Sequence, residues 1–426
     1  MIKRQAYYPP GTVLKWIPRE LFLLLVGALM NMLCFAQPYD LLIKNAHMID
    51  PKNHINGKMD LAVTNGMISK VAKEIPAMQS KKTIDAGGLY IVPGLIDMHT
   101  HVFVGPEPEK FADGQYSVSP DDFSFRSGVT TVVDAGTSGW HNFPQFKGQV
   151  IDHMKTRVLA FLNINANGLS GKPDEEDVTK MIVDSAVQMQ KKFPGIIVGI
   201  KIGHYEGSDW TPFDRALEAA AITHTPLFVE CHLPKYSLQD QLHKMRPGDI
   251  ITHSYEQIPE RMAVVDEAGK LRPFVLEAKQ KGILFDLGHG GAGFWFSQAI
   301  PAFKQGLAPN SFGSDLHRFS MNAGMKSMTN IMSKYMAIGM PLEDAIVRAT
   351  WNPALSIHRP DLGNLSEGTV ADITLLRVLN GRFGYMDAGG YKLEGNQKLE
   401  AELTIRAGKI EWDLNGLAAR EIYHEK

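Results

Sequence analysis

Between residues 90 and 315 the chain alternates two kinds of stretch. Short apolar runs, rich in Val, Ile, Leu and Phe, occupy 90–98, 129–135, 158–163, 196–202, 226–231, 249–252, 283–286 and 311–315. Most are separated by longer stretches whose apolar residues recur at helical spacing, such as 177–192, 212–222 and 273–281. Runs of the first kind predict buried strands and those of the second amphipathic helices. Strands alternating with helices predict parallel βαβ units, and eight of them predict a closed (β/α)₈ TIM barrel. An open doubly wound sheet is the alternative, but no glycine-rich dinucleotide fingerprint opens any helix. The glycine-rich GHGGAGF at 288–294 lacks that spacing and the acidic residue that follows it, and reads as a loop at the barrel mouth. An amphipathic helix over 342–349 follows, and Asn352-Pro353 then breaks the chain.

Both flanks carry a different pattern. Residues 39–90 alternate over short β-like runs, and Asn65-Gly66 between two of them is a hairpin signal. A matching β-rich stretch returns at 371–378, 399–405 and 409–412. Two β pieces framing a long middle predict one small β-sandwich domain built from both termini. The expected division is a signal peptide over 1–36, the N-terminal portion of the β-sandwich over 37–90, a metal-dependent barrel over 91–358 and the C-terminal portion of the β-sandwich over 359–426.

The signal peptide rests on Lys3, Arg4, Lys15 and Arg19 ahead of LFLLLVGALMNMLCF at 21–35, with Ala36-Gln37 at its exit. That apolar stretch is short against the roughly 20 residues of a membrane-spanning helix. The expectation is therefore a secreted or periplasmic protein without stable membrane insertion after cleavage, with an uncleaved membrane anchor as the alternative. Only Cys34 and Cys231 are present, so cleavage leaves one thiol and no internal disulfide. A formal net charge of −2 gives no electrostatic case for nucleic acid. The partner expected is a small-molecule substrate, and a homo-oligomer is left open.

Candidate chemistry gathers where the apolar runs stop. The first ends in His99-Thr100-His101, and residues i and i+2 on a strand face the same side. Lys201 closes the fourth run, His232 the fifth, His253 the sixth and Asp315 the eighth. In a (β/α)₈ barrel the C-terminal strand ends form the active-site face. Any one of these residues alone would pass as a rim lysine, a capping histidine or a helix N-cap; together they fit a two-metal site. An ammonium beside two dications would be repelled, whereas an uncharged amine can add carbon dioxide and become a bridging carbamate. Two metals at such a site can activate water and polarise a carbonyl. His289 and His317 stand close enough in sequence to the seventh and eighth strand ends to reach substrate.

These motifs carry a resemblance. PGLIDMHTH at 93–101 resembles the strand-one signature of the amidohydrolase superfamily. GIKIG, DIITH, FDLGHG, SFGSDLH and the closing LTIRAGKIEWDLNG resemble its dihydroorotase-like deacetylase branch. The resemblance implies that His99, His101 and Asp315 hold the more buried metal and that His232 and His253 hold the other. It implies two divalent ions, zinc foremost, bridged by carboxylated Lys201. Asp315 would take a proton from the bridging hydroxide and pass it to the leaving group. The activity implied is hydrolysis of an amide or ester in a small N-acyl or O-acyl compound. A cyclic amidase or dipeptidase is the enzymatic alternative, and a binding protein retaining the fold the non-enzymatic one. Gly203-His204-Tyr205 after the strand-four lysine departs from many relatives and bears on the substrate pocket.

Overall fold

The computed structural model describes residues 37–230, 235–259 and 261–420. The expected signal peptide, Cys34, Cys231 and His232 lie outside the described residues. Among those described, no helix is long and apolar enough to cross a membrane.

Seven strands form one curled parallel sheet in sequence order: Leu95–Thr100, Val129–Gly139, Arg157–Asn163, Ile197–Gly203, Leu227–Glu230, Ile250–Ile251 and Leu284–Phe285. Residues 311–316 join its two edges. On one side the amides of Leu287 and His289 donate to the carbonyls of Ser311 and Gly313; on the other, His101 donates to Leu316 and Leu316 to His99. Helices Val183–Lys192, Thr211–Thr223 and Pro273–Lys281 connect successive strands, close to the positions their apolar spacing indicates. The methionines of 321–340 serve packing: Met325, Met328 and Met332 are buried on and beside helix Met328–Ile338.

The two ends of the chain meet in a second, eight-stranded sheet. Its path runs Lys409–Asp413, Lys392–Arg406, Ile373–Met386, Tyr90–Pro93, Leu41–Asp50, Ile55–Thr64 and Met67–Ala72, with Thr83–Asp85 beside Leu41–Asp50. Asn65 and Gly66 turn the hairpin with positive φ at both, as the Asn-Gly signal requires. The sheet's remote edges approach each other: Ala371 donates to the Gly66 carbonyl, and the Gly408 amide to Ala371. Leu61, Val63 and Ile68 accordingly share one buried cluster with Leu403 and Ile405.

One expected strand divides. The apolar run 90–98 is continuous in sequence, but Tyr90–Pro93 pairs antiparallel with Ile373–Leu376 in the terminal sheet. Leu95–Thr100 enters the parallel sheet beside Val129–Gly139. The passage falls at Gly94, where a Cβ would lie 2.2 Å from Thr130 Oγ1. A glycine lets the backbone cross between sheets where no side chain fits, and an unbroken apolar run conceals the change.

Candidate metal centre

His99 lies within a register shift of the first parallel strand, between Asp97 and Thr100, and His101 directly follows that strand. Both are buried and both are oriented from behind. Asp286 Oδ2 accepts from Thr252 Oγ1 at 2.8 Å, and the Thr252 oxygen accepts from His99 Nδ1 at 2.9 Å. The proton of His99 is therefore on Nδ1, and its Nε2 lone pair faces the site. That Nε2 is buried without a hydrogen-bond partner, 3.5 Å from Asp315 Oδ1 and 3.7 Å from Glu230 Oε2. Burial pushes the imidazole down to about 4 although Asp315 and Asp286 pull the other way, so His99 is neutral at physiological pH. His101 is held through Thr137 Oγ1 at 2.9 Å from its Nδ1, and its Nε2 lies 3.1 Å from Asp315 Oδ1.

Asp315 has a left-handed backbone, as do His204 and His253. Such conformations cost on the order of 1–3 kcal/mol each and concentrate at functional sites. Gly290 makes room, since a Cβ there would lie 2.1 Å from Asp315 Oδ2. Burial opposes ionisation of Asp315, but His317 and the contact from His101 Nε2 hold its carboxyl far below the usual range. His317 Nε2 stands 3.7 Å from Asp315 Oδ2 at the cavity wall.

Lys201 is wholly buried at the end of the fourth strand, and its Nζ bonds Glu230 Oε2. His253 donates from Nδ1 to the Gly288 carbonyl at 2.7 Å, which turns Nε2 toward Glu230 Oε1 at 3.0 Å. His204 Nε2 lies 3.3 Å from the same oxygen and its Nδ1 3.2 Å from Glu175. Burial works against the charge on His204, yet Glu175 and Glu230 outweigh it and push the imidazole up to about 10. Phe228, stacked on Phe161 at 4.5 Å, forms an aromatic floor 5.3 Å from the His99 ring.

Four of the sequence-predicted ligands that lie among the described residues, His99, His101, His253 and Asp315, fall into two clusters with metal-ligand spacing. One is His99, His101 and Asp315; the other is His99, Glu230 and His253. Lys201 reaches the second through Glu230. The orphaned Nε2 of His99, amid carboxylate oxygens too distant for hydrogen bonds, is the arrangement a divalent cation completes. His289 is placed elsewhere. It is fully buried behind the glycine loop, bonded to Lys334 Nζ at 2.7 Å and the Gly290 carbonyl, while Gly291–Gly293 line the cavity. Glu230 is the residue sequence reasoning passed over. Its signal was an acidic residue inside the apolar run LFVECH, two positions before the histidine that drew attention.

The cavity over these ligands holds about 260 Å³ and is lined by His101, Phe111, His204, Glu230, His253, Asp315 and His317 among others. A second, of about 370 Å³, shares Phe111 and His204 with it and continues toward Tyr116, Lys172 and Glu175.

No family model matches the chain. Individual relatives do. The chain is 31% identical over 360 residues to a deacetylase of Brucella anthropi, covering 83% of this chain and 87% of that protein. It belongs to the amidohydrolase superfamily, in the dihydroorotase-like deacetylase branch. A deacetylase of Agrobacterium fabrum is likewise 31% identical, over 76% of this chain and 80% of its own length. Among solved structures, one described as an adenine deaminase superposes with a TM-score of 0.80 at 28% identity, over 88% of this chain and all of the other. A dihydroorotase gives 0.77 at 27%, over 87% and 98%. This amidohydrolase is thus a deacetylase-like, metal-dependent hydrolase, with buried His, Asp and Glu groups suited to metal.

Proposed function

We propose that this amidohydrolase removes a small acyl group, acetyl foremost, from the nitrogen or oxygen of a small carboxylic acid. The observation that carries the reading is the unpartnered Nε2 of buried His99, facing Asp315 and Glu230 beneath a substrate-sized cavity. The deacetylase relatives narrow the acyl group. The curled sheet with 311–316 bonded across its edges supports a (β/α)₈ barrel, and the meeting of remote edges in the terminal sheet supports a sandwich from both ends.

His99, His101 and Asp315 would hold one divalent ion and His253 would take part in holding the second, with zinc favoured by the imidazole-rich donor set. Lys201 would carry a carbamate toward both. Bound there, the metals supply carbonyl polarisation and a more acidic water. The chain's residues do the rest. Asp315 accepts the proton as the water oxygen attacks the acyl carbon. It returns that proton to the leaving nitrogen or oxygen as the C–N or C–O bond breaks, giving a free acid and an amine or alcohol. His317 stands beside Asp315 to orient the substrate. His204 and Phe111, shared by both cavities, place the acyl group at the inner one and the leaving group in the outer.

The test is a hydrolysis screen of N-acetyl and O-acetyl acids, dipeptides and cyclic amides on zinc-loaded protein. Turnover confined to acetylated acids is expected. Exclusive turnover of cyclic amides would assign the chain to the dihydroorotase-like reaction instead, and a lack of turnover with any class would favour a binding protein.

A further inference from the structure

We propose that Glu230 is the ligand the fifth strand contributes to the second metal, in the place sequence reasoning gave to His232. This rests on the metal-hydrolase reading above and specifies its ligand set. Three observations converge on the Glu230 carboxylate. First, it stands with His99 and His253 in a cluster whose donor atoms have metal-ligand spacing. Because one imidazole nitrogen serves one cation, and His99 goes with His101 and Asp315, Glu230 and His253 remain for the second ion. Second, His253 spends its Nδ1–H on the Gly288 carbonyl at 2.7 Å, which turns Nε2 onto Glu230 Oε1 at 3.0 Å, so a ring nitrogen and a carboxylate oxygen converge on one point of the site. Third, Glu230 is almost wholly buried, and its other oxygen meets the Lys201 amine. Were that amine to become a carbamate, the contact would set anion against anion in a dry site, which a bound dication would offset.

Glu230 occupies the level at which the donor atoms of Lys201, His253 and His99 already meet. From the cavity side His204, backed by Glu175, reaches the same Oε1, so the carboxylate is fixed in orientation from two directions. A carboxylate in place of a neutral imidazole also adds one negative charge to offset the cations of the buried centre.

The experiment uses full-length protein loaded with zinc, counting bound metal per chain by mass spectrometry and ranking affinity by chelator competition. Glu230→Ala and the near-isosteric Glu230→Gln are compared with His232→Ala, with folding followed by circular dichroism. Cobalt-substituted samples add a visible absorption band that reports the donor set without turnover. Two zinc ions are expected in the wild type. Both Glu230 variants should bind the weaker zinc about tenfold or more less tightly and change the cobalt band, while His232→Ala keeps both ions and the band. If Glu230→Ala does not fold, Glu230→Gln and His232→Ala carry the comparison. Wild-type zinc binding in a Glu230 variant, or loss of a zinc in His232→Ala, overturns the assignment while leaving the hydrolase reading intact. Fewer than one zinc in the wild type overturns both.

Discussion

Replacing Thr252 by Val tests whether His99 is a prepared ligand. The two side chains have nearly the same shape, so the change removes one hydroxyl and little else. That hydroxyl is the middle of a buried relay, 2.9 Å from His99 Nδ1 and 2.8 Å from Asp286 Oδ2. Without it His99 Nδ1 faces Asp286 across 3.8 Å, beyond hydrogen-bonding reach. Asp286 keeps Ser311 Oγ and the Gly313 amide on Oδ1, so the damage falls on Oδ2 and the imidazole N–H. Leaving those two groups unpaired at about 1–3 kcal/mol each, less partial closure of the gap, gives a stability loss of about 2–4 kcal/mol for the metal-free protein. The freed ring also loses its tautomer and orientation, for which a ten- to hundredfold drop in metal affinity is expected. Denaturant unfolding of the metal-free protein measures the first quantity and zinc competition against a chelator the second. Thr252→Ser, which keeps the hydroxyl, should recover most of both. A valine variant as stable as the wild type and with equal zinc affinity would refute the relay.

Asp315→Asn should keep most of the zinc but lower kcat about 10²–10⁴-fold, since an amide cannot shuttle the proton; a kcat within threefold of wild type would mean another group moves it. Lys201→Ala should lose one or both metals and nearly all activity, with partial rescue by formate or acetate, and Lys201→Arg should fare no better because guanidinium stays charged. Burial pushes Lys334 down to about 7 from 10.5, against the pull of Asp387. Between those values the unfolded chain holds a proton that the folded one has released, so wild-type stability should rise with pH across that window relative to Lys334→Met. Parallel pH–stability curves for the two proteins would contradict it. N-terminal sequencing of protein from the native host should begin near Gln37; an intact Met1 in the membrane fraction would contradict a cleaved leader.

What the sequence determined by itself is what local periodicity carries. His99 and His101 share a strand face because alternate residues do, whatever the rest of the chain is doing. Lys201, His253 and Asp315 were legible because each stops an apolar run, and in a parallel sheet all such stops fall on one side. The Asn65-Gly66 turn was legible because its backbone conformation is a property of two residues. The rest depended on contacts distant in sequence. No local signal says that an apolar run changes sheets at Gly94; Thr130 and the returning strand Ile373–Met386 impose that. Thr252 and Asp286 look like ordinary polar residues until the curl of the sheet sets them behind His99. His289 follows the seventh strand as closely as a ligand would, yet Lys334, 45 residues on, draws it into the interior. Glu230 was hidden because a carboxylate in a buried strand declares itself only when Lys201, His253 and His204, from two other strands, arrive around it. Periodicity tells which way a side chain points, and tertiary structure alone decides what it meets there.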